Sequence, residues 1–118
     1  MTVTTIHGAG AQCAVHAHGA QVTSWIPACG GERLFLSERS SFAPGAAIRG
    51  GVPVIFPQFS TFGPLPKHGF ARTATWALAD QRDDRVTFRL TDTPETRALW
   101  PHAFVAELTA TVAGAALE

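Results

Sequence analysis

Residues 48–72, Ile-Arg-Gly-Gly-Val-Pro-Val-Ile-Phe-Pro-Gln-Phe-Ser-Thr-Phe-Gly-Pro-Leu-Pro-Lys-His-Gly-Phe-Ala-Arg, leave the backbone few solutions. Pro53, Pro57, Pro64 and Pro66 each fix φ and remove an amide donor, and Gly50-Gly51 opens angles closed to other residues. Neither a helix nor a central strand fits such a stretch, so it reads as a shaped loop. Val52, Val54, Ile55, Phe56, Phe59, Phe62 and Phe70 are expected to anchor that loop on a core. Arg49, Lys67, His68 and Arg72 supply donors and positive charge, with no acid in the stretch. An anion carrying hydroxyl groups suits that surface, because arginine matches phosphate oxygens bidentately and lysine acts as a point charge. From spacing alone, scattered solvated charges are an equal alternative.

The flanks are punctuated differently. Residues 3–37 hold short runs of period two broken by Gly8, Gly10, Gly19, Pro27 and Gly30-Gly31, the pattern of a β-meander. A hairpin is expected from residues 12–18 and 21–26 around Gly19-Ala20, with His16 and His18 on one face and Val15 and Ala17 on the other. Residues 33–37 read as a short buried strand and the serine-rich 38–45 as a loop. Beyond Arg72, residues 73–79 place Trp76 and Leu78 on one side, and residues 85–91 place Val86, Phe88 and Leu90 together, with a polar turn at 80–84 between them. Thr93-Pro94-Glu95 opens a brief helix over 93–99, with an N-cap hydroxyl, proline at the first position and a carboxylate in the first turn, and Pro101 ends it. Residues 104–112 alternate again, Gly114 turns the chain, and 115–118 begin a return strand. The expectation is one all-β domain over 1–118, an antiparallel β-sandwich.

Composition narrows the function classes. In 118 residues, nine Lys and Arg balance nine Asp and Glu, and no like-charge block occurs, so nucleic acid and anionic membranes are not expected partners. No apolar run reaches a membrane span and no secretory pattern opens the chain, which reads as cytoplasmic. Cys13 and Cys29 are then expected as reduced thiols acting as small hydrophobes. His16 and His18 could share a strand face toward a metal, but no third ligand is spaced to join them, so no metal site is assigned. No nucleophile elbow, P-loop or dinucleotide fingerprint accompanies the serines and glycines. Asp83 and Asp84 read as solvated turn residues.

Arg49-Gly50-Gly51-Val52-Pro53 with Phe56-Pro57, then His68-Gly69-Phe70-Ala71-Arg72 and Trp76, resembles the aldose 1-epimerase superfamily, in its hexose-6-phosphate mutarotase branch. Residues 19–25 (Gly-Ala-Gln-Val-Thr-Ser-Trp), 34–37 (Leu-Phe-Leu-Ser), 93–96 (Thr-Pro-Glu-Thr) and 100–102 (Trp-Pro-His) resemble the same branch. The resemblance implies a galactose mutarotase-like supersandwich, of which this chain matches the N-terminal part and is incomplete at its C-terminus. It implies interconversion of the α and β anomers of D-glucose 6-phosphate or a related aldose phosphate by acid/base ring opening, without a cofactor. Arg49 and Arg72 are implied as phosphate ligands, and His68 as a contact to a sugar hydroxyl.

Lys67 stands where relatives often carry a substrate-contacting glutamine. Gln58 and Ser60 stand where many carry tryptophan and glycine, which implies a different pocket wall. The general acid and base of the family are implied to lie beyond Glu118, so the alternative is a sugar-phosphate-binding module or inactive fragment lacking the catalytic half. Self-association is expected through unpaired strand edges near residues 104–112 and 115–118.

Overall fold

Two antiparallel sheets make up nearly all the regular structure of the computed structural model, which describes residues 2–118. Val3–Gly8 (β1), Ala11–His16 (β2) and Gln21–Ile26 (β3) form the first, in the order β1-β2-β3. A two-residue turn, Ala9-Gly10, joins β1 to β2 with both residues at positive φ, the geometry that matches strand twist across a tight hairpin, and a four-residue connection over 17–20, with Gly19 and Ala20 at positive φ, joins β2 to β3. Ala77–Gln81 (β4), Arg85–Thr91 (β5), Val105–Ala113 (β6) and Ala116–Leu117 (β7) form the second sheet in sequential order.

The alternation of the sequence decides what each sheet buries. Ile6, Cys13 and Val15 of the first sheet meet Val86, Phe88, Leu90, Ala110 and Val112 of the second in one core, with Phe70, Ala71 and Trp76 closing its end. Backbone bonds stitch the layers where the core thins: His7 N–H donates to Asp83 O at 2.7 Å, and Val112 N–H to Asp84 O at 3.0 Å. Between β5 and β6, Pro94–Leu99 (α1) starts as expected, with Thr93 and Thr96 each capping the other's backbone N–H through a hydroxyl. Along β6, Ala106 and Leu108 are partly buried beside Ala110 and Val112, as is Phe104 just before it, and β7 provides the return strand.

Several expectations give way to tertiary geometry. Residues 33–37 form no strand; Leu36 makes only an isolated bridge to Gly50, and Phe35 is 76% exposed. Their backbone is used as a rail instead, since Phe35 O accepts from Gly51 N–H at 2.8 Å and Ser37 N–H donates to Arg49 O at 2.9 Å. Residues 73–79 do not form one strand either. Ala71–Thr73 is a 3₁₀ turn, β4 begins at Ala77 and runs through Gln81, and the polar turn shrinks to 82–84.

Trp76 and Leu78 therefore do not share a side: Trp76 is buried while Leu78 is half-exposed. Trp76 is drawn inward by its own hydrogen bonds, from its backbone N–H to Ala17 O and from Nε1 to Ala71 O.

The second strand stops at His16, so His18 lies in the turn, buried, with its Nε2 bonded to Ala46 O, and not on a strand face beside His16. In the central loop, Phe70 is buried and Val54 and Phe56 pack on the core, but Val52, Phe59 and Phe62 are exposed. Phe59 and Phe62 stack on each other at 6.1 Å and not on the core. Cys13 is a buried thiol, which burial and then Glu32 push up to about 11, whereas Cys29 is exposed and no part of the core.

The far edge of β6 pairs with β7 only at Val112 and Ala113, with Thr111 and Glu118 exchanging backbone bonds; from 105 to 110 it has no strand partner among the described residues. Among the described residues no helix is long and apolar enough to cross a membrane.

Candidate functional site

The loop carries Arg49, Lys67, His68 and Arg72 to one cleft of about 810 Å³. Arg49 thus lines one cleft with residues eighteen or more positions away in sequence, which spacing along the chain could not establish. The same cleft is lined by Arg39, Ser41 and the Gly50-Gly51 backbone, and by no acidic residue among those described.

Arg49 is placed by its neighbours' backbone. Gly50 and Gly51 have φ of 119° and 67°, and a Cβ on either would stand 2.3 Å from Phe35 O or 2.1 Å from Val22 O. Only glycine lets this strand of chain press so closely between β3 and residues 35–36. From below, the fully buried Gln21 donates through Nε2 to Ile48 O at 3.4 Å and to Gly50 O. Ser40 completes the fixation: its hydroxyl donates to Arg49 O at 2.9 Å and accepts from Arg49 N–H at 3.2 Å.

Lys67, His68 and Arg72 sit on a second, separately braced segment. Gln58, itself buried, donates to Ser60 O at 2.8 Å and Leu65 O at 3.0 Å while its Oε1 accepts from Leu65 N–H at 2.8 Å. It is the internal strut of the loop, and neither Gln58 nor Ser60 lines the cleft, contrary to the expected change of pocket wall. His68 has φ of 66° and accepts from Ser60 N–H through Nδ1 at 2.9 Å. With Nδ1 occupied as an acceptor, the proton of the neutral ring lies on Nε2, available to a ligand. Partial desolvation, then Arg72 and Lys67, hold its pKa below the usual 6.5. Arg72 donates from Nη2 to Lys67 O at 3.2 Å, while its Nε is buried without a partner among the described residues.

Charge is partitioned across the molecule. Arg82 and Arg85 pair with Asp80, Arg89 with Glu107 at 2.6 Å and Arg97 with Asp92, all on the second sheet or its helix. None of the four cations of the cleft pairs with a carboxylate among the described residues. A zero net charge therefore hides a local excess, and the arrangement is suited to receiving an anion while a neutral imidazole donates to a hydroxyl.

Sequence reasoning missed Arg39, Gln21 and Ser40. The first lies in a stretch that reads as plain serine-rich loop, and a buried glutamine in a strand has no pattern of its own. Among the described residues no group of three or more His, Cys, Asp or Glu is placed to hold a metal ion.

The sequence profile of the aldose 1-epimerase family matches residues 1–118. A protein of Escherichia coli (strain K12) named "Putative glucose-6-phosphate 1-epimerase" is 46% identical over 92 residues, covering 73% of this chain and 31% of that protein. One of the same name from Cenchrus ciliaris is 39% identical over 109 residues, 84% of this chain and 33% of that one. The chain spans about a third of the length of these curated relatives. Among solved structures, a "putative mutarotase" from Salmonella typhimurium superposes with a TM-score of 0.82 at 34% identity, over 93% of this chain and 39% of that chain. A "galactose mutarotase-like protein" from Lactobacillus casei gives 0.84 at 20% identity, over 98% of this chain and 42% of its own, and at that identity speaks for the fold alone.

Proposed function

The chain belongs to the aldose 1-epimerase family, and from that premise we propose that its cleft is the phosphate-holding end of a hexose-6-phosphate mutarotase site, taking D-glucose 6-phosphate or a related aldose phosphate. The observation that carries this reading is the set of cations around one cleft with no carboxylate among them. Arg49 and Arg72 grip the phosphoryl oxygens, Lys67 adds a point charge, and His68 donates from Nε2 to a sugar hydroxyl. Anchored there, the sugar presents its anomeric carbon to acid and base: a base takes the proton of the anomeric hydroxyl, an acid protonates the ring oxygen as the C1–O5 bond breaks, and the free aldehyde rotates. Reversal on the other face gives the second anomer. The phosphate is a remote handle whose binding energy holds C1 in register.

A second reading concerns these 118 residues by themselves: they bind the sugar phosphate without turning it over. The lining of the cleft favours it, since no carboxylate is present and the one imidazole has Nδ1 engaged by Ser60 N–H.

Calorimetry and polarimetry separate the readings. Arg72→Ala is expected to weaken glucose 6-phosphate binding by more than about 1.5 kcal/mol, the scale of a charged hydrogen bond, with free-glucose binding unchanged. Equal losses for both ligands remove the phosphate assignment. The 118-residue chain is expected to leave the mutarotation rate of freshly dissolved α-glucose 6-phosphate at its buffer value; acceleration abolished by His68→Ala overturns the binding-only reading.

A further inference from the structure

The outer edge of β6 is open, and hydrogen bonds at its two ends fix which backbone groups it offers. Asp92 N–H donates to Phe104 O at 3.2 Å and Val112 N–H to Asp84 O at 3.0 Å, so the even-numbered residues along it face β5. On the other side Thr111 and Glu118 exchange bonds of 2.9 Å, so the odd-numbered residues face outward. The N–H and C=O of one strand residue point to the same side and alternate along the chain. Val105, Glu107 and Thr109 therefore each turn a donor and an acceptor to the outer edge, with no partner there among the described residues.

This edge lacks the features that keep strands from pairing with other chains. At the opposite edge of the same sheet, the register of β4 is broken between Leu78 and Asp80, and a carboxylate stands at the break. By contrast β6 pairs with β5 without a shift from Val105 to Thr111, holds no proline or lysine, and has its one charge, Glu107, already paired with Arg89. Its inward row is incompletely covered as well. Phe104, Ala106 and Leu108 are only partly buried, although Leu90 and Ala110 beside them are buried, so the apolar interior runs up to the open edge.

We infer that this edge pairs with the same edge of a second copy of the chain, antiparallel about a two-fold axis normal to the sheet and centred on Ala106. In that register Val105 stands opposite the second copy's Glu107, and the reverse, each pair exchanging two backbone bonds. On the inner face Phe104 meets Leu108, Ala106 meets its own equivalent and Leu108 meets Phe104, an apolar row that reads the same in both directions. Centring on Glu107 would set carboxylate opposite carboxylate. Centring on Leu108 would drive the second copy's Val105 into Glu118, which already holds the place opposite Thr111. None of these residues lines the cleft, so the inference stands apart from the phosphate reading.

Sedimentation equilibrium of the 118-residue chain tests the pairing, from about 5 µM to about 500 µM, the range in which small interfaces associate. The mass is expected to rise from 12.5 kDa toward twice that value and no further. Amide hydrogen exchange at the two ends of that range locates the contact: Val105 and Glu107 should slow with concentration, while Ala106 and Leu108, bonded to β5, are slow at both. Val105→Pro removes an outward donor at the first residue of the strand, where proline costs no bond within the chain. It is expected to weaken self-association by at least about tenfold with little change in the urea midpoint. A chain that stays monomeric throughout, leaving the edge to a strand of some other protein, overturns the inference, and growth past two copies overturns the closed pairing. So does a dimer in which the Val105 and Glu107 amides exchange as fast as in the monomer, or one that Val105→Pro leaves intact. Should that variant fail to fold, the amide pattern of the unaltered chain decides alone.

Discussion

The second sheet and the loop over residues 36–72 use the same residue types to opposite ends. In the sheet, alternation puts Val86, Phe88 and Leu90 in the core, and the arginines that point away each find a carboxylate. In the loop, position is set by glycines that fit where a Cβ cannot and by buried amides such as Gln21 and Gln58, and the cations stay without acidic partners. The sheet is ordered by apolar burial, a non-directional force that tolerates crude patterning. The loop is ordered by directional hydrogen bonds to carbonyls, which hold a charged surface in place without contributing much core. The difference teaches that core stability and the placing of the cleft's charges are separately encoded here.

The largest effect expected from that separation is on stability. Phe88, fully buried between the sheets, should cost about 3–5 kcal/mol when changed to alanine, a large share of the roughly 5–15 kcal/mol typical of a domain. In urea denaturation the midpoint should fall sharply, while the fraction still folded keeps its affinity for glucose 6-phosphate. Gln21→Ala should show the converse balance: a smaller stability loss of about 1–3 kcal/mol from unpaired carbonyls at Ile48 and Gly50, with weakened glucose 6-phosphate binding because Arg49 loses its floor. Two variants with the same ratio of stability loss to affinity loss would erase the distinction between the regions.

How much of this was legible beforehand follows the same division. Strands β3 and β5 and the Thr93 cap sit where the sequence placed them, because side-chain period and capping chemistry are local and act over a few residues. The candidate residues Arg49, Lys67, His68 and Arg72 stand out as a set through their motifs, and all four line one cleft. What could not be read was anything settled by distant backbone. Residues 33–37 look like a buried strand, yet Phe35 and Leu36 lend their backbone to Gly50 and Gly51 and leave Phe35 outside. Leu78 alternates correctly with Trp76, but the tryptophan is bound to Ala17 and Ala71 before the strand begins. Arg39 joins the cleft only through Ser37 and Ser40, a relationship between segments ten residues apart that carries no periodicity.

The next effect is one of protonation and belongs to the loop alone. Partial desolvation, with Arg72 and Lys67 beside it, places the His68 pKa below 6.5 in the folded chain. The unfolded chain therefore binds more protons in the window between that depressed value and 6.5, so this group's contribution is fully present above 6.5 and lost as pH falls through the window. An NMR titration of the imidazole should give a midpoint under 6.5, and Lys67→Gln should raise it by removing one of the two charges. Inorganic phosphate should raise it as well. A midpoint at or above 6.5 in the free protein contradicts the electrostatic picture of the cleft.

The smallest expected effect tests the other side of the comparison. Arg89 and Glu107 face each other across β5 and β6, with Nη2 2.6 Å from the carboxylate and both side chains about half exposed. Water screens such a pair and two long side chains lose freedom in making it, so a double-mutant cycle with Arg89→Gln and Glu107→Gln should give a coupling of roughly 0.2–1 kcal/mol. Near 1 M salt, where the screening length is about 3 Å, most of that coupling should vanish. Glucose 6-phosphate affinity should not respond to Arg89→Gln at all, because this guanidinium already has its anion. The two arginine substitutions then define the partition: Arg72→Ala acts on ligand affinity and barely on stability, Arg89→Gln slightly on stability and not on affinity. Should removing Arg89 weaken the sugar phosphate as much as removing Arg72 does, the attraction is a property of the whole surface charge, and the carboxylate-free cleft has no special claim on the ligand.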